Sequence, residues 1–155
     1  MPHDPAQLSR IARALDEAHS LLSQETDRLA REYGSVTGDE TVAGSPKQTL
    51  NGITGLSNAL ANTLQGVVLA AGYSAIGMTK RADHAYSMAQ RHPVSFPGAA
   101  DRMARPLGEA TVRALELIRD LGFFDREVTV AIEAALAAPQ ATYPPADWNT
   151  YCAQR

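Results

Sequence analysis

Leucines recur every seven residues along the first part of the chain. The series consists of Leu8, Leu15, Leu22 and Leu29. A seven-residue recurrence keeps side chains on one helical face, and the charged residues of this segment mostly lie elsewhere on the helical wheel, so the pattern predicts an amphipathic helix over residues 5–33. Its apolar stripe suits packing inside a bundle, the simpler interpretation, and would also suit a coiled coil between two chains.

A second pattern begins at residue 48, where 32 consecutive residues, 48–79, carry no charged side chain. Large apolar residues spaced by three or four predict one helical face along this run. Small residues follow a similar spacing on another side, and they include Gly55, Ala59, Gly66, Ala70 and Ser74. Because such a helix has no obvious solvent side, we expect these small residues to pack against another helix or a second chain.

The limits of this second helical region follow from prolines. Pro46 suits a first helical position, and the helical pattern runs on to residue 91. The residue before a proline disfavours helical geometry, so the region should end at His92, which precedes Pro93. Gly72 and Gly77 offer places for a break, and the sequence leaves open whether 46–91 is one helix or two.

Two further helical regions complete the pattern, over residues 99–121 and 126–138. Pro106 should kink the first of them or split it into a short turn followed by a helix. Residues 139–155 contain three prolines and predict an extended tail. The tail has three aromatic residues suited to contact with the bundle or a neighbouring subunit, namely Tyr143, Trp148 and Tyr151.

Composition agrees with a globular protein, since the 155 residues are 45% hydrophobic and 20% charged. Alternating strand patterns are not evident. We therefore predict an all-α fold, with a single helical-bundle domain of about four main helices over residues 1–138 and the extended tail over 139–155.

Charge and cysteine content narrow the functional classes. A net charge of −3 excludes a general basic coat for nucleic acid. The cleanest apolar run, 66–78, has 13 residues, whereas a membrane span needs about 20, so we expect no membrane insertion. Cys152 is the sole cysteine, which excludes an internal disulfide. With no secretory pattern at the amino terminus, the expected location is the cytoplasm.

Motifs for catalysis, metals or cofactors are weak. Asp16 and His19 form the one carboxylate-x-x-His spacing, whereas a dinuclear iron bundle requires two such pairs. The simpler interpretation of Asp16 and His19 is a solvated helix face. Cys152 has no histidine near it in sequence, so it is expected to be a spectator. We predict no catalytic residue, no metal site and no cofactor.

One basic region stands out between two acidic ones, because residues 80–105 carry five basic and two acidic side chains. Lys80, His84 and Arg91 are four and seven residues apart, a spacing that places them on one helical face. Arg81 and His92 flank this face. Together the five residues could hold a carboxylate or phosphate through charge-assisted hydrogen bonds. The alternative is an ordinary solvated face that pairs with the acidic first helix.

Association is the function that these patterns favour. We predict a non-enzymatic helical protein that binds a second copy or a protein partner, with Trp148 and the small residues of 48–79 at the interface. The alternative is a module that binds small molecules or anions through the basic 80–92 face. The amide- and glycine-rich run after Ser45-Pro46 resembles, in composition, the bacterial R-body assembly proteins, and we assign no family on that basis.

Overall fold

A computed structural model describes residues 3–33, 46–91, 102–103 and 107–137 of the chain. These residues form five helices and no strand, so the prediction of an all-α helical bundle is confirmed. In chain order the helices are α1 (Pro5–Tyr33), α2 (Pro46–Ala75), α3 (Thr79–Arg91), α4 (Glu109–Leu121) and α5 (Arg126–Ala137).

Helix α1 buries the leucine series that the sequence singles out. All four leucines are at most 3% exposed, and they pack within the bundle against α2 and α4. From the other side of this contact, α2 contributes a buried row of its own: Ile53, Leu56, Leu60 and Val67. The seven-residue pattern of α1 therefore serves the core of the chain itself.

The 46–91 region consists of two helices, and the break falls at Gly77 rather than Gly72. Gly77 has a φ of +78°, in the left-handed region that side chains rarely adopt. The N–H groups of Gly77 and Met78 donate to carbonyl oxygens of the last turn of α2, at 3.1 and 2.9 Å. Gly72, by contrast, lies inside α2.

The third predicted helix, 99–121, corresponds to α4, which begins at Glu109. Gly122 ends α4 with a φ of +66°, and its N–H donates to the carbonyl oxygen of Arg119. Pro106 lies outside the described residues, as do His92, Ala138 and the predicted tail with Trp148. No helix in the described ranges is both long enough and apolar enough to cross a bilayer.

Contacts near both ends fasten α3 to the rest of the bundle. The Gln90 side-chain amide donates to the Phe123 carbonyl oxygen at 2.9 Å, between α4 and α5. Tyr86 meets the Phe123 ring edge-on, with 5.2 Å between ring centres. On its other side Tyr86 stacks on His3 at 4.5 Å, while His3 Nε2 lies 2.9 Å from Asp83 Oδ1. These contacts join α3 to the residues before α1 and to the connection between α4 and α5.

Candidate functional site

From residue 51 onward, the solvent side of α2 is a strip without charge. We call it the uncharged strip, and its residues recur every three or four positions from 51 to 76. All of them are exposed: Asn51, Thr54, Gly55, Asn58, Ala61, Asn62, Gln65, Val68, Leu69, Gly72, Ala75 and Ile76. Since the other sides of α2 pack against α1 and α3, the helix is surrounded only in part.

The two halves of the uncharged strip differ in chemistry. The amino-terminal half is rich in amide side chains, as at Asn58 and Gln65. The carboxyl-terminal half exposes large apolar side chains, with Val68 57%, Leu69 51% and Ile76 69% exposed. Several large apolar side chains exposed along one stretch of chain are compatible with a contact surface.

The predicted small-residue series does not stay on one side of α2. Ala59 and Ala70 are buried. Gly66 faces α3 so closely that an added Cβ would lie 3.0 Å from the Ala89 Cβ. Ser74 is half-buried, whereas Gly55 belongs to the uncharged strip with open space around it.

Helix geometry explains this divergence. A step of four residues overshoots one turn by about 40°, so a series from residue 55 to residue 74 drifts around the helix by about 100°. The sequence spacing therefore identified close packing at Gly66 and Ala70, and it placed Gly55 on the same side although that residue faces solvent. Trp148, the remaining interface candidate, lies outside the described residues.

A groove between α2 and α3 contains three of the five predicted basic residues. This α2–α3 groove has a volume of about 550 Å³. Lys80, Arg81 and His84 line it from α3, opposite apolar and aromatic side chains such as Leu69 and Tyr73. The sequence indicated these three basic residues and gave no signal for the apolar wall opposite them.

Arg91 does not join the three. Eleven residues separate it from Lys80, which corresponds to about 16 Å along a helix although the two positions share a face. The Arg91 Nε instead lies 3.4 Å from the Asp125 Oδ2, before α5. His92 is outside the described residues, so the described anion-site candidates reduce to Lys80, Arg81 and His84.

The groove carries positive charge without a counter-charge in the described part of the chain. No acidic residue lines it, and no described carboxylate lies within 4.0 Å of Lys80, Arg81 or His84. The guanidinium carbon of Arg81 lies 5.9 Å from the Tyr73 ring centre, within cation–π distance. Among the described residues, the ion pairs of α3 reach His3 and Asp125, and neither partner is an acidic side chain of α1.

Two other concave regions were not indicated by the sequence. One, of about 710 Å³, lies between the start of α1 and the end of α2, with Asp4 and Val68 among its lining residues. The other lies beside Glu25, whose side chain is buried at 6% exposure and accepts hydrogen bonds from Arg28 at 2.6 and 3.1 Å. Gly108 leaves room for the Glu25 carboxylate, because a Cβ added at Gly108 would collide with that carboxylate.

Among the described residues, no group of three His, Cys, Asp or Glu side chains is placed to hold a metal ion. Comparison of the chain with models of protein families, with curated proteins and with solved structures finds no match. The resemblance of the run after Ser45-Pro46 to the R-body proteins therefore stays one of composition. The uncharged strip and the α2–α3 groove are the surface features that bear on function.

Proposed function

We propose that this protein is a non-enzymatic helical protein that acts by self-association, with the uncharged strip of α2 as the contact between two copies. The observation that carries the proposal is the lack of any charged side chain among the exposed residues between 51 and 76. The strip spans 25 residue steps, or about 37 Å of helix. Helices that face water ordinarily have charged or strongly polar residues on that side.

The chemistry of the strip supports a second copy as its partner. A two-fold interface brings the same patch of both subunits together, so the patch must complement itself. Amide side chains donate and accept hydrogen bonds, which makes residues such as Asn58 and Gln65 compatible with their own copies. The apolar half adds hydrophobic contact area, and an uncharged strip brings no like charges together.

Charge on either side of the strip favours a parallel pairing of the two α2 helices. Asp4 lines the cavity on the α1 side, and Lys80 and Arg81 line the groove on the α3 side. A two-fold axis along α2 would set the α1 side of one copy against the α3 side of the other, and so bring opposite charges together. An antiparallel pairing, with the axis across α2, would place like sides together, the α1 side against the α1 side and the α3 side against the α3 side.

Light scattering over a range of concentrations tests the proposal. We expect the wild-type protein to reach a mass of two 155-residue chains, and Val68→Glu to remain monomeric because it places a charge within the contact. Val130→Glu is the matched control, since Val130 is 51% exposed on α5, away from the strip. A strictly monomeric wild type, or a Val68→Glu variant that dimerises like the control, would reject the proposal.

The cellular location is part of the same proposal. A single cysteine, Cys152, suits a reducing compartment, because secreted domains of this size commonly carry disulfides. We propose the cytoplasm on that basis. Fractionation of cells that express a tagged full-length chain measures it, with recovery in the membrane or secreted fraction as the contrary result.

A further inference from the structure

We infer that the α2–α3 groove binds an amphipathic anion, a small molecule with a carboxylate or phosphate head group and an apolar body. This inference goes beyond association, because it concerns a ligand in the groove, which shares Asn62 and Leu69 with the uncharged strip. A volume of about 550 Å³ lies within the range of small-molecule sites. The two ends of the proposed ligand follow from the two kinds of side chain that line the groove.

The head-group end is set by the start of α3. Lys80 and Arg81 lie in the first turn of α3, and this turn contains no acidic residue. His84 follows one turn later. The amino-terminal end of a helix is itself positive, so cations placed there repel it and one another. A bound anion would relieve that repulsion and accept charge-assisted hydrogen bonds from the ammonium and guanidinium groups.

The apolar character of the ligand body follows from the apolar side chains that line the groove. Leu69 of α2 and Met88 of α3 both line the groove, and each is 51% exposed. Tyr73 adds an aromatic surface, and its contact with Arg81 holds the guanidinium beside the apolar wall. Methionine in particular adapts to irregular apolar ligands.

These two features together exclude simpler ligands as the best fit. An inorganic anion would satisfy the cations and leave Leu69 and Met88 in water. An uncharged apolar molecule would cover the walls and leave Lys80 and Arg81 without a counter-charge. A molecule that combines a head group with an apolar body satisfies both parts of the groove at once.

Titration calorimetry on the full chain tests the inference with four probes: decanoate, decyl phosphate, decanol and inorganic phosphate. We expect at least one of the two amphipathic anions to bind, kept below its micelle-forming concentration. Decanol and inorganic phosphate should each bind about tenfold more weakly or worse, because each lacks one half of the contact. Inorganic phosphate that bound as tightly as decyl phosphate would overturn the apolar half of the inference.

Variants locate the site. Lys80→Ala combined with His84→Ala should weaken binding about tenfold or more, while Arg126→Ala, an exposed cation on α5, leaves it unchanged. Met88→Gln should weaken binding, in contrast to Val130→Gln, a substitution at equal exposure outside the groove. Melting temperatures close to that of the wild type would show that the variants remain folded.

Two results would overturn the inference: no binding of either amphipathic anion, or binding that the Lys80 and His84 substitutions leave intact. Failure of self-association is a separate matter and is detected separately. Val68→Glu should abolish dimers and retain the ligand, since Val68 does not line the α2–α3 groove.

Discussion

Helices α1 and α2 are almost equal in length, with 29 and 30 residues, and they form the central contact of the bundle. Each buries a row of large apolar side chains against the other. Their solvent sides differ completely. Among the α1 residues whose exposure is described, six exposed ones are charged, namely Arg10, Arg13, Asp16, Glu17, Asp27 and Arg31, whereas the exposed residues between 51 and 76 include none.

The contrast separates two requirements that a surface helix ordinarily meets together. Burial of one face stabilises the fold, and α1 and α2 both achieve it. A charged outer face keeps a helix in water and discourages contact with other molecules, and only α1 has one. The exposed Val68 of α2 and Ile76, the residue after this helix, are therefore better explained by contact with another surface than by the needs of the fold.

The largest expected effect comes from placing one charge on either side of α2. Ala70 is 0% exposed, so Ala70→Arg should cost several kcal/mol and prevent stable folding, because a buried guanidinium has neither water nor a counter-ion there. Ala61→Arg, on the uncharged strip, should leave the fold intact and weaken association. Thermal unfolding and light scattering measure the two effects. Equal stability of both variants would remove the distinction between the inner and outer sides.

Two glycines of α2 provide a matched pair of intermediate effect. Gly66→Val should destabilise the protein by about 1–3 kcal/mol, because its first side-chain atom already meets Ala89 at 3.0 Å. Gly72→Ala should stabilise it by about 0.5–1 kcal/mol, since alanine favours helix and Gly72 has open space around it. Urea unfolding measures both. A destabilising Gly72→Ala would indicate that the strip is more crowded than described.

The smallest expected effect concerns the charged side of α1. Burial raises the pKa of Tyr86 above its usual value, and the nearby Arg10 guanidinium lowers it in part. The unfolded tyrosine therefore loses its proton first, so stability should fall as pH rises above about 10. Tyr86→Phe should flatten this alkaline loss, and Arg10→Gln should steepen it. Unfolding curves between pH 8 and 11, about one unit or more to either side of that value, would test both slopes.

The sequence predicted which helix faces are buried better than it predicted which helices pack against them. The leucine series of α1 was sufficient because a seven-residue repeat defines one face, and the structure buries that face. For residues 48–79 the same reasoning predicted a helix covered either by its own bundle or by a second chain. Periodicity states which residues share a side, not how many other helices are available to cover it, and the uncharged strip of α2 is left open.

Local geometry accounts for the other differences. Gly72 and Gly77 are the same residue type, so the sequence does not tell which of them breaks the helix. In the structure Gly77 has a left-handed backbone and forms the break, whereas Gly72 lies inside α2. Lys80, His84 and Arg91 share a face on the helical wheel. The wheel does not show distance along the helix axis, and in the structure Arg91 lies near Asp125 instead of in the groove. The apolar walls of the groove belong to two helices and could not be paired from spacing alone.

The contact proposed for α2 is tested most directly by disulfide formation between copies, in a Cys152→Ser background that removes the sole natural thiol. Single cysteines are introduced at Asn58 and at Gly72, two exposed positions near the midline of the strip, and at Val130 as an exposed control on α5. Parallel packing of α2 on its copy sets midline positions of the strip beside themselves, so we expect Asn58→Cys and Gly72→Cys both to yield covalent dimers under mild oxidation, while Val130→Cys does not. Cross-linking at the strip that is no faster than at Val130 would contradict a contact between the two uncharged strips.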